Sequence, residues 1–431
     1  MRGGLNNERL LGLKEKSEKE YAGVKAKGLK LDMSRGKPGP DVLELSNGML
    51  KLPAGDYISE NGTDCRNYGI IDGIPEAKRL FAQMLGVSES EVIVGGNSSL
   101  QMMYDAVARA MLFGAADGFD PWSKSKIKFL CPVPGYDRHF SVCETMGIEM
   151  LSVPTDGNGP DMDAVERLVS EDESVKGIWC VPMYSNPTGI VYSDAVVKRL
   201  ANMKPKAPDF RIFWDNAYCV HHLTDEPESL ADILGECKKA GNPDMVYIFA
   251  STSKISFPGG GVGVLAASAG NVAYIKKHMG FQTIGSDKLN QLRHVQFFRD
   301  LDGIKAHMGL IKNVLKPKFD LTLDILEKEL SPDGLGSWHK PKGGYFISFD
   351  GAQGTAKRTV ALCKEAGVVL TGAGAAFPYG KDPEDKNIRI APTYPSLEEL
   401  RAAMEVFCVS VKLANAEKIY NLFTTFPAKV I

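Results

Sequence analysis

Ala250-Ser251-Thr252-Ser253-Lys254-Ile255-Ser256-Phe257-Pro258, followed by Gly259, Gly260, Gly261 and Gly263, is the stretch on which the reading of this chain turns. An apolar run from Met245 to Ala250 leads into three hydroxyl residues and a lysine, and glycines then turn the chain into a second apolar run, Val262 to Ala267. The pattern predicts strand, polar turn, strand. A lysine at the mouth of a buried strand, with hydroxyls around it and glycines that let backbone come close, suits an amine that meets a phosphorylated ligand. Most lysines in a chain with 51 Lys+Arg sit on solvated turns, so the assignment needs support from the rest of the sequence.

Upstream, apolar runs and helical patterns alternate. The predicted strands are Val92–Val94, Ile127–Cys131, Ile148–Val153, Gly177–Val181 and Arg211–Trp214. The predicted helices are Pro75–Leu85, Ser98–Phe113, Tyr136–Met146, Met162–Val169 and Asp194–Ala201. Such alternation predicts an α/β chain with a mostly parallel sheet covered by helices. Residues 271–330 read as helical, with a long pattern from Gly303 to Leu330, and residues 8–30 as a helix ending at Gly28. The tail restarts as a smaller α+β unit with strands Gly344–Phe349, Val368–Leu370 and Asn387–Ala391 and helices Thr355–Ala366 and Leu397–Leu413. The expected division is a large domain over 55–310 and a small domain built from both ends, 1–54 and 311–431.

Composition bounds the function. The 431 residues are 44% hydrophobic and 24% charged, ordinary for a globular protein with a large core. A net charge of -2 supplies no electrostatic footprint for nucleic acid or an anionic membrane, and no uncharged apolar run reaches the length of a membrane span. Eight cysteines without a Cys-x-x-Cys pair read as reduced, buried thiols of a cytoplasmic protein. The mixed lysines and glutamates of the first thirty residues fit neither a secretory signal nor a transit peptide. No metal is expected: His221-His222 are adjacent and have no third ligand at a suitable spacing.

Open parallel sheets bind ligands at the carboxyl ends of their strands. After Val94 come Gly95-Gly96-Asn97-Ser98-Ser99 and a helix start, which forms an anion site or an ordinary N-cap. After Cys131 comes Pro132-Val133-Pro134-Gly135-Tyr136, an aromatic ring at the sheet edge that either stacks on a flat ligand or caps the core. Ser185-Asn186-Pro187-Thr188-Gly189 follows Val181, and Asp215-Asn216-Ala217-Tyr218 follows Trp214. An acid after so apolar a strand is a helix cap or the partner of a buried cation, with Tyr218 near it on one helical face.

The ordered set Tyr136, Ser-Asn-Pro-Thr-Gly at 185–189, Asp215-x-x-Tyr218, Ser-x-Ser-Lys254 and Asn387-Ile388-Arg389 resembles the class I/II aminotransferases among the fold type I pyridoxal-phosphate enzymes. The resemblance spans about residues 30–410, with gaps of 29 residues from Asn186 to Asp215 and 39 from Asp215 to Lys254. Ser34-Arg35-Gly36-Lys37-Pro38 resembles a divergent aspartate aminotransferase branch related to the aminotransferase halves of MocR-type regulators. The resemblance implies a seven-stranded-type, mostly parallel sheet in a large domain beside a small α+β domain, and a homodimer that binds pyridoxal 5′-phosphate. It implies that Lys254 forms the Schiff base and shuttles a proton, and that Asp215 faces the pyridine nitrogen. It further implies that Asn186 and Tyr218 bond the ring's phenolic oxygen and that Tyr136 stacks on the ring. Asn97, Ser98, Ser99, Ser251 and Ser253 would cradle the phosphate, with Tyr68 reaching the phosphate in the partner subunit. Arg389 would clamp the substrate α-carboxylate, helped by Gly36.

Two departures stand out. Most relatives carry an arginine a turn beyond the Schiff-base lysine, where this chain has Gly259-Gly260-Gly261-Val262-Gly263; a lost charge-assisted bond of about 1.5–3 kcal/mol must be offset by other donors, with Arg35 and Lys37 as candidates. The arginine that reads the side chain in well-known aspartate enzymes also has no counterpart near Phe281 to Gly285. Arg35, Lys37, Arg66 and Arg138 nonetheless border the expected cleft, so a dicarboxylate pair such as aspartate and 2-oxoglutarate is the expected substrate class. An alanine–glyoxylate enzyme, a β-lyase or decarboxylase built on the same lysine, and a ligand-sensing regulator domain are the alternatives. The regulator form requires a DNA-binding module ahead of residue 30.

Overall fold

The alternation between Val92 and Ala267 closes into one eight-stranded sheet in the computed structural model, which describes residues 7–425. In chain order the strands are β1 (Leu31–Met33), β2 (Val92–Val94), β3 (Lys128–Val133), β4 (Glu149–Asp156), β5 (Gly159–Pro160), β6 (Val175–Cys180), β7 (Arg211–Asp215), β8 (Val246–Ser251), β9 (Gly263–Ala267), β10 (Ser337–Trp338), β11 (Ile347–Asp350), β12 (Val368–Leu370) and β13 (Asn387–Ile390). The large sheet runs β2-β9-β8-β7-β6-β3-β4-β5. Pairs from β8 through β4 are parallel, and β9 is inserted antiparallel between β2 and β8. The expected seven strands are therefore present, and the two-residue β5 adds an eighth at the edge by folding back on β4.

Alternation along each strand divides its residues between two cores. Phe129, Trp179, Phe213 and Phe249 enter one core, while Leu130, Ile178, Ile212, Trp214 and Ile248 enter the other. Rings on adjacent strands lie 4.7–5.9 Å apart on the first face. Burial on both faces explains why these strands read as continuous apolar runs instead of alternating ones.

The helices are α1 (Asn7–Lys25), α2 (Pro40–Glu44), α3 (Pro75–Leu85), α4 (Ser99–Phe113), α5 (Asp137–Thr145), α6 (Met162–Glu171), α7 (Asp194–Asn202), α8 (Ile233–Lys239), α9 (Ala269–Gln282), α10 (Lys288–Phe298), α11 (Leu301–Leu330), α12 (Ala356–Glu365) and α13 (Leu397–Thr425). Ser98, Asp161, Ser193, Asp232, Ser268, Asp287 and Asp300 each cap a helix by accepting a first-turn N–H, a contact typically worth about 1 kcal/mol. The stretch predicted as helical over 271–330 is broken into α9, α10 and α11, because Asp287 and Asp300 each restart a helix. Two small sheets, β1-β12 and β10-β11-β13, form with the tail, and α1 packs along α13. Residues 1–6 and 426–431 of the expected small domain lie outside the described residues.

Candidate active site

β7 ends in Asp215, whose side chain is 3% exposed. His139 Nε2 lies 3.1 Å from its Oδ2, and the His139 ring is stacked on Trp179 at 4.3 Å. Asp215 Oδ1 is buried and has no partner. A carboxylate oxygen sealed from water without a donor is costly, so this wall is built for a ligand that brings an N–H or a positive charge. Of the two roles expected for Asp215, the helix cap is not formed: residues 217–220 are turns, and Tyr218 reaches the site from that turn instead of from a helical face. Asn216 N–H donates to Phe249 O and fixes the departure.

Lys254 follows β8 in a turn before β9. Its Nζ is 5.0 Å from the Tyr218 ring centroid and 5.6 Å from that of Tyr345. Burial lowers its pKa; Asp215 opposes that shift and the positive charge of Arg389 adds to it. The result is an amine more readily unprotonated than a surface lysine, which is the state in which it acts as nucleophile or base.

Three histidines hold the lysine turn from outside. His221 Nε2 contacts Lys254 O at 3.3 Å and His307 Nε2 contacts Ile255 O at 2.9 Å. Thr252 Oγ1 and Ser256 Oγ lie 3.0 and 2.8 Å from His294 Nε2, while His294 Nδ1–H donates to Asn290 O at 2.8 Å. Burial pushes His221 down to about 3 and His294 down to about 4, so both are neutral at pH 7. His222 points away and meets Tyr184 Oη at 2.8 Å. The sequence treated His221 only as a metal candidate and overlooked His294 and His307, because a lone histidine in an apolar pattern carries no local signal.

The glycines after Lys254 let two loops interlock. A Cβ on Gly263 would lie 2.7 Å from Gly95 O and from Ser98 O, and one on Gly261 would lie 2.7 Å from Asn97 O. This approach sets Ser98 and the buried Ser99, at the N-terminus of α4, beside β8 and its turn, where Ser251 Oγ donates to Ser253 Oγ at 3.1 Å. Asn97 itself is exposed and spends its N–H on Gln101 Oε1 at 3.2 Å. Glycine at 261 is thus a packing requirement, and an arginine there would collide with backbone. A cavity of about 470 Å³ adjoins these glycines, lined by Asn97, Arg109 and Arg293 among others, and Lys254 is not part of its wall.

Arg389 projects from β13. Its Nη1 donates to Asp137 Oδ1 at 2.9 Å and to Asn186 Oδ1 at 3.2 Å, and its Nη2 donates to Thr371 Oγ1 at 3.3 Å. Nε is buried without a partner. The guanidinium lies over Phe346, 4.8 Å from the ring centroid, and that ring packs on Gly36, where a Cβ would come 2.3 Å from Phe346 Cζ. Tyr136 stands at the start of α5, 4.9 Å from the His139 ring, and burial raises its pKa. One cleft therefore gathers Lys254, Asp215, Tyr218, Tyr136, Asn186 and Arg389.

Other candidates lie outside that group. Tyr68 is 79% exposed. Arg35 is exposed, and Arg138 is half-buried with no ion pair among the described residues. Lys37 is 3.9 Å from Asp32 and stacks on Tyr394 at 4.0 Å, and Arg66 is held by Asp64 at 2.6 Å. Neither Arg35 nor Lys37 is among the residues lining the cavity at Gly259–Gly261.

A mixed, mainly parallel sheet with a strand-end aspartate, a desolvated lysine and a helix N-terminus at one edge defines the fold type I class of pyridoxal-phosphate enzymes. The chain belongs to the aspartate amino-transferase family, whose model matches residues 5–422, and it is an aminotransferase. A Mycolicibacterium smegmatis protein named as an aminotransferase is 52% identical over 96% of this chain and 98% of its own length. The aspartate aminotransferase of Corynebacterium glutamicum is 47% identical over 96% of each chain. The crystal structure of a C. glutamicum aspartate transaminase superposes with a TM-score of 0.94 at 46% identity, covering 96% of this chain and 98% of that one. Aminotransferases of this fold depend on pyridoxal phosphate and act on amino acids and 2-oxo acids.

Proposed function

We propose that this chain carries pyridoxal 5′-phosphate on Lys254 and exchanges amino groups between dicarboxylic substrates, with aspartate and 2-oxoglutarate as the pair. The observation that carries the cofactor assignment is Asp215 Oδ1, a buried carboxylate oxygen without a partner near the desolvated Lys254 amine. Bound there, the cofactor supplies the electron sink that makes the substrate Cα proton acidic. Asp215 would hold the ring nitrogen in its protonated form, with His139 orienting the carboxylate. Lys254 Nζ, made basic by loss of its proton, would accept the hydrogen of substrate Cα and return it. Tyr136 would stack on the ring, Asn186 and Tyr218 would bond its oxygen, and Asn97, Ser98, Ser99, Ser251 and Ser253 would hold the phosphate. Arg389 would hold the α-carboxylate, with Gly36 keeping the approach open.

The dicarboxylate assignment rests on the C. glutamicum relative and on Arg35 and Arg138, cations beside the cleft with no ion pair among the described residues. A second carboxylate taken out of water needs such a cation, whereas an alanine side chain does not. Tyr68, Phe281 and Ile284, which are 79, 84 and 62% exposed, support a homodimer in which Tyr68 completes the neighbouring site. The division into 55–310 and the two chain ends, and a cytoplasmic location, complete the proposal. None of the helices among the described residues is long and apolar enough to cross a membrane.

A panel of amino acids against 2-oxoglutarate, pyruvate and glyoxylate tests the substrate class. Aspartate with 2-oxoglutarate should give the highest kcat/KM, and Arg35→Ala or Arg138→Ala should lower it while sparing alanine. A preference for alanine with glyoxylate, or equal losses on both substrates, overturns the dicarboxylate reading. Product released without any 2-oxo acid acceptor would instead mark a lyase or decarboxylase.

A further inference from the structure

Arg389 has a carboxylate partner within its own chain, Asp137. Nε is buried and makes no hydrogen bond, so every contact the guanidinium makes is at its Nη atoms. Nη1 is the better held of the two, with Asp137 at 2.9 Å and Asn186 at 3.2 Å, while Nη2 makes one longer contact, 3.3 Å, to the Thr371 hydroxyl. Asp137 is not a buried structural anion: its side chain is 31% exposed, against 7% for Arg389, and it is the first residue of α5, directly after Tyr136. Its other oxygen makes no hydrogen bond among the described residues.

We infer that Asp137 is a competing internal carboxylate, which occupies Arg389 until the substrate's own carboxylate replaces it and thereby sets how tightly the site takes carboxylic acids. The inference rests on the proposed role of Arg389 as the α-carboxylate site. Displacement is feasible because the pair is partly solvated, where an ion pair is weak enough to exchange, and because Asn186 and Thr371 keep the guanidinium in place once Asp137 leaves. A site that must first release an internal ligand shows an affinity reduced by the fraction of molecules in the open state. The consequence for function is a raised KM without a change in the chemistry at Lys254, which suits an enzyme that has to release one acid before taking the next.

The test uses the holoenzyme and succinate, a dicarboxylate with no amino group to react, titrated calorimetrically at constant ionic strength. Asp137→Asn removes the charge and keeps the shape, and Asp137→Ala removes both. Each should tighten succinate roughly fivefold, the factor that a partly exposed ion pair of about 1 kcal/mol represents, and lower KM for the amino acid with kcat unchanged. If Asp137 instead only braces Arg389, both variants bind succinate more weakly and KM rises, and the inference is overturned; unchanged affinity overturns it as well. Arg389→Ala separates this from the underlying reading. Loss of succinate binding in that variant supports Arg389 as the carboxylate site, and retention of it removes the site on which Asp137 is said to act.

Discussion

The neutral, buried His294 makes a prediction whose size follows from its surroundings. Its ring sits at about 4 in the fold against 6.5 when free, because burial disfavours the imidazolium. A base whose folded pKa is depressed contributes stability that is complete above the unfolded value and is lost as the pH falls toward the folded one, since only the unfolded chain takes up the proton. At about 1.4 kcal/mol per unit the full window holds roughly 3 kcal/mol, of which about 2 kcal/mol is gone by about pH 5. His221, pushed down to about 3, adds a loss in the same direction. His294→Asn keeps a polar group but removes the titration. It should destabilise the protein at neutral pH by about 1–3 kcal/mol, because the Thr252 hydroxyl loses its acceptor and Asn290 O its donor. Ser256 is less affected, since its hydroxyl also reaches Thr252 O at 3.2 Å. The assay is the urea midpoint between about pH 7.5 and pH 5, converted with a common slope. Wild type should lose roughly 2 kcal/mol more than the variant across that range. Parallel curves would refute the assignment of His294 as a neutral brace of the lysine turn.

Gly36→Ala should raise KM for amino acids by about tenfold or more and also lower the melting temperature, because the new Cβ meets the buried Phe346 ring on which Arg389 lies; steady-state kinetics with a thermal melt checks both halves. Gly261→Arg, which places an arginine in the glycine run after the lysine turn, should weaken cofactor retention on dialysis instead of strengthening it, since the side chain would start against Asn97 O. His139→Ala should remove the partner of Asp215 Oδ2 and lower kcat with little change in KM, and in the cofactor-free protein, where Oδ1 is also unpartnered, it should lower the melting temperature. Sedimentation should give twice the chain mass, and a fully active monomer would contradict the role of Tyr68.

The fold was legible where physical periodicity is strong. Strands buried on both faces announce themselves as apolar runs, and β2 and the start of β7 fall on the expected residues. Short elements were not legible: β5 is two residues held only by β4, and α8 depends on the Asp232 cap in a charged stretch. The turn after Asp215 was not legible: the spacing of Asp215 and Tyr218 left a helix cap open as one alternative, whereas the backbone there is fixed by the Asn216 bond to β8. In the site, Lys254 and Asp215 stood out because each follows an apolar run, whereas Arg389 was named only through the family resemblance. Asp137, Thr371 and the bracing histidines could not, since their roles arise from contacts between segments far apart in sequence. Phe346 was hidden for the same reason, as its partner Gly36 comes from the opposite end of the chain.

The central claim is that Lys254 is the residue that holds pyridoxal 5′-phosphate. Reducing the purified protein with borohydride, digesting it and locating the phosphopyridoxyl mass by peptide sequencing tests this most directly. The account predicts one labelled peptide, carrying the modification on Lys254, and no label in Lys254→Ala. A label on a different lysine, or equal labelling of the Lys254→Ala protein, would contradict it.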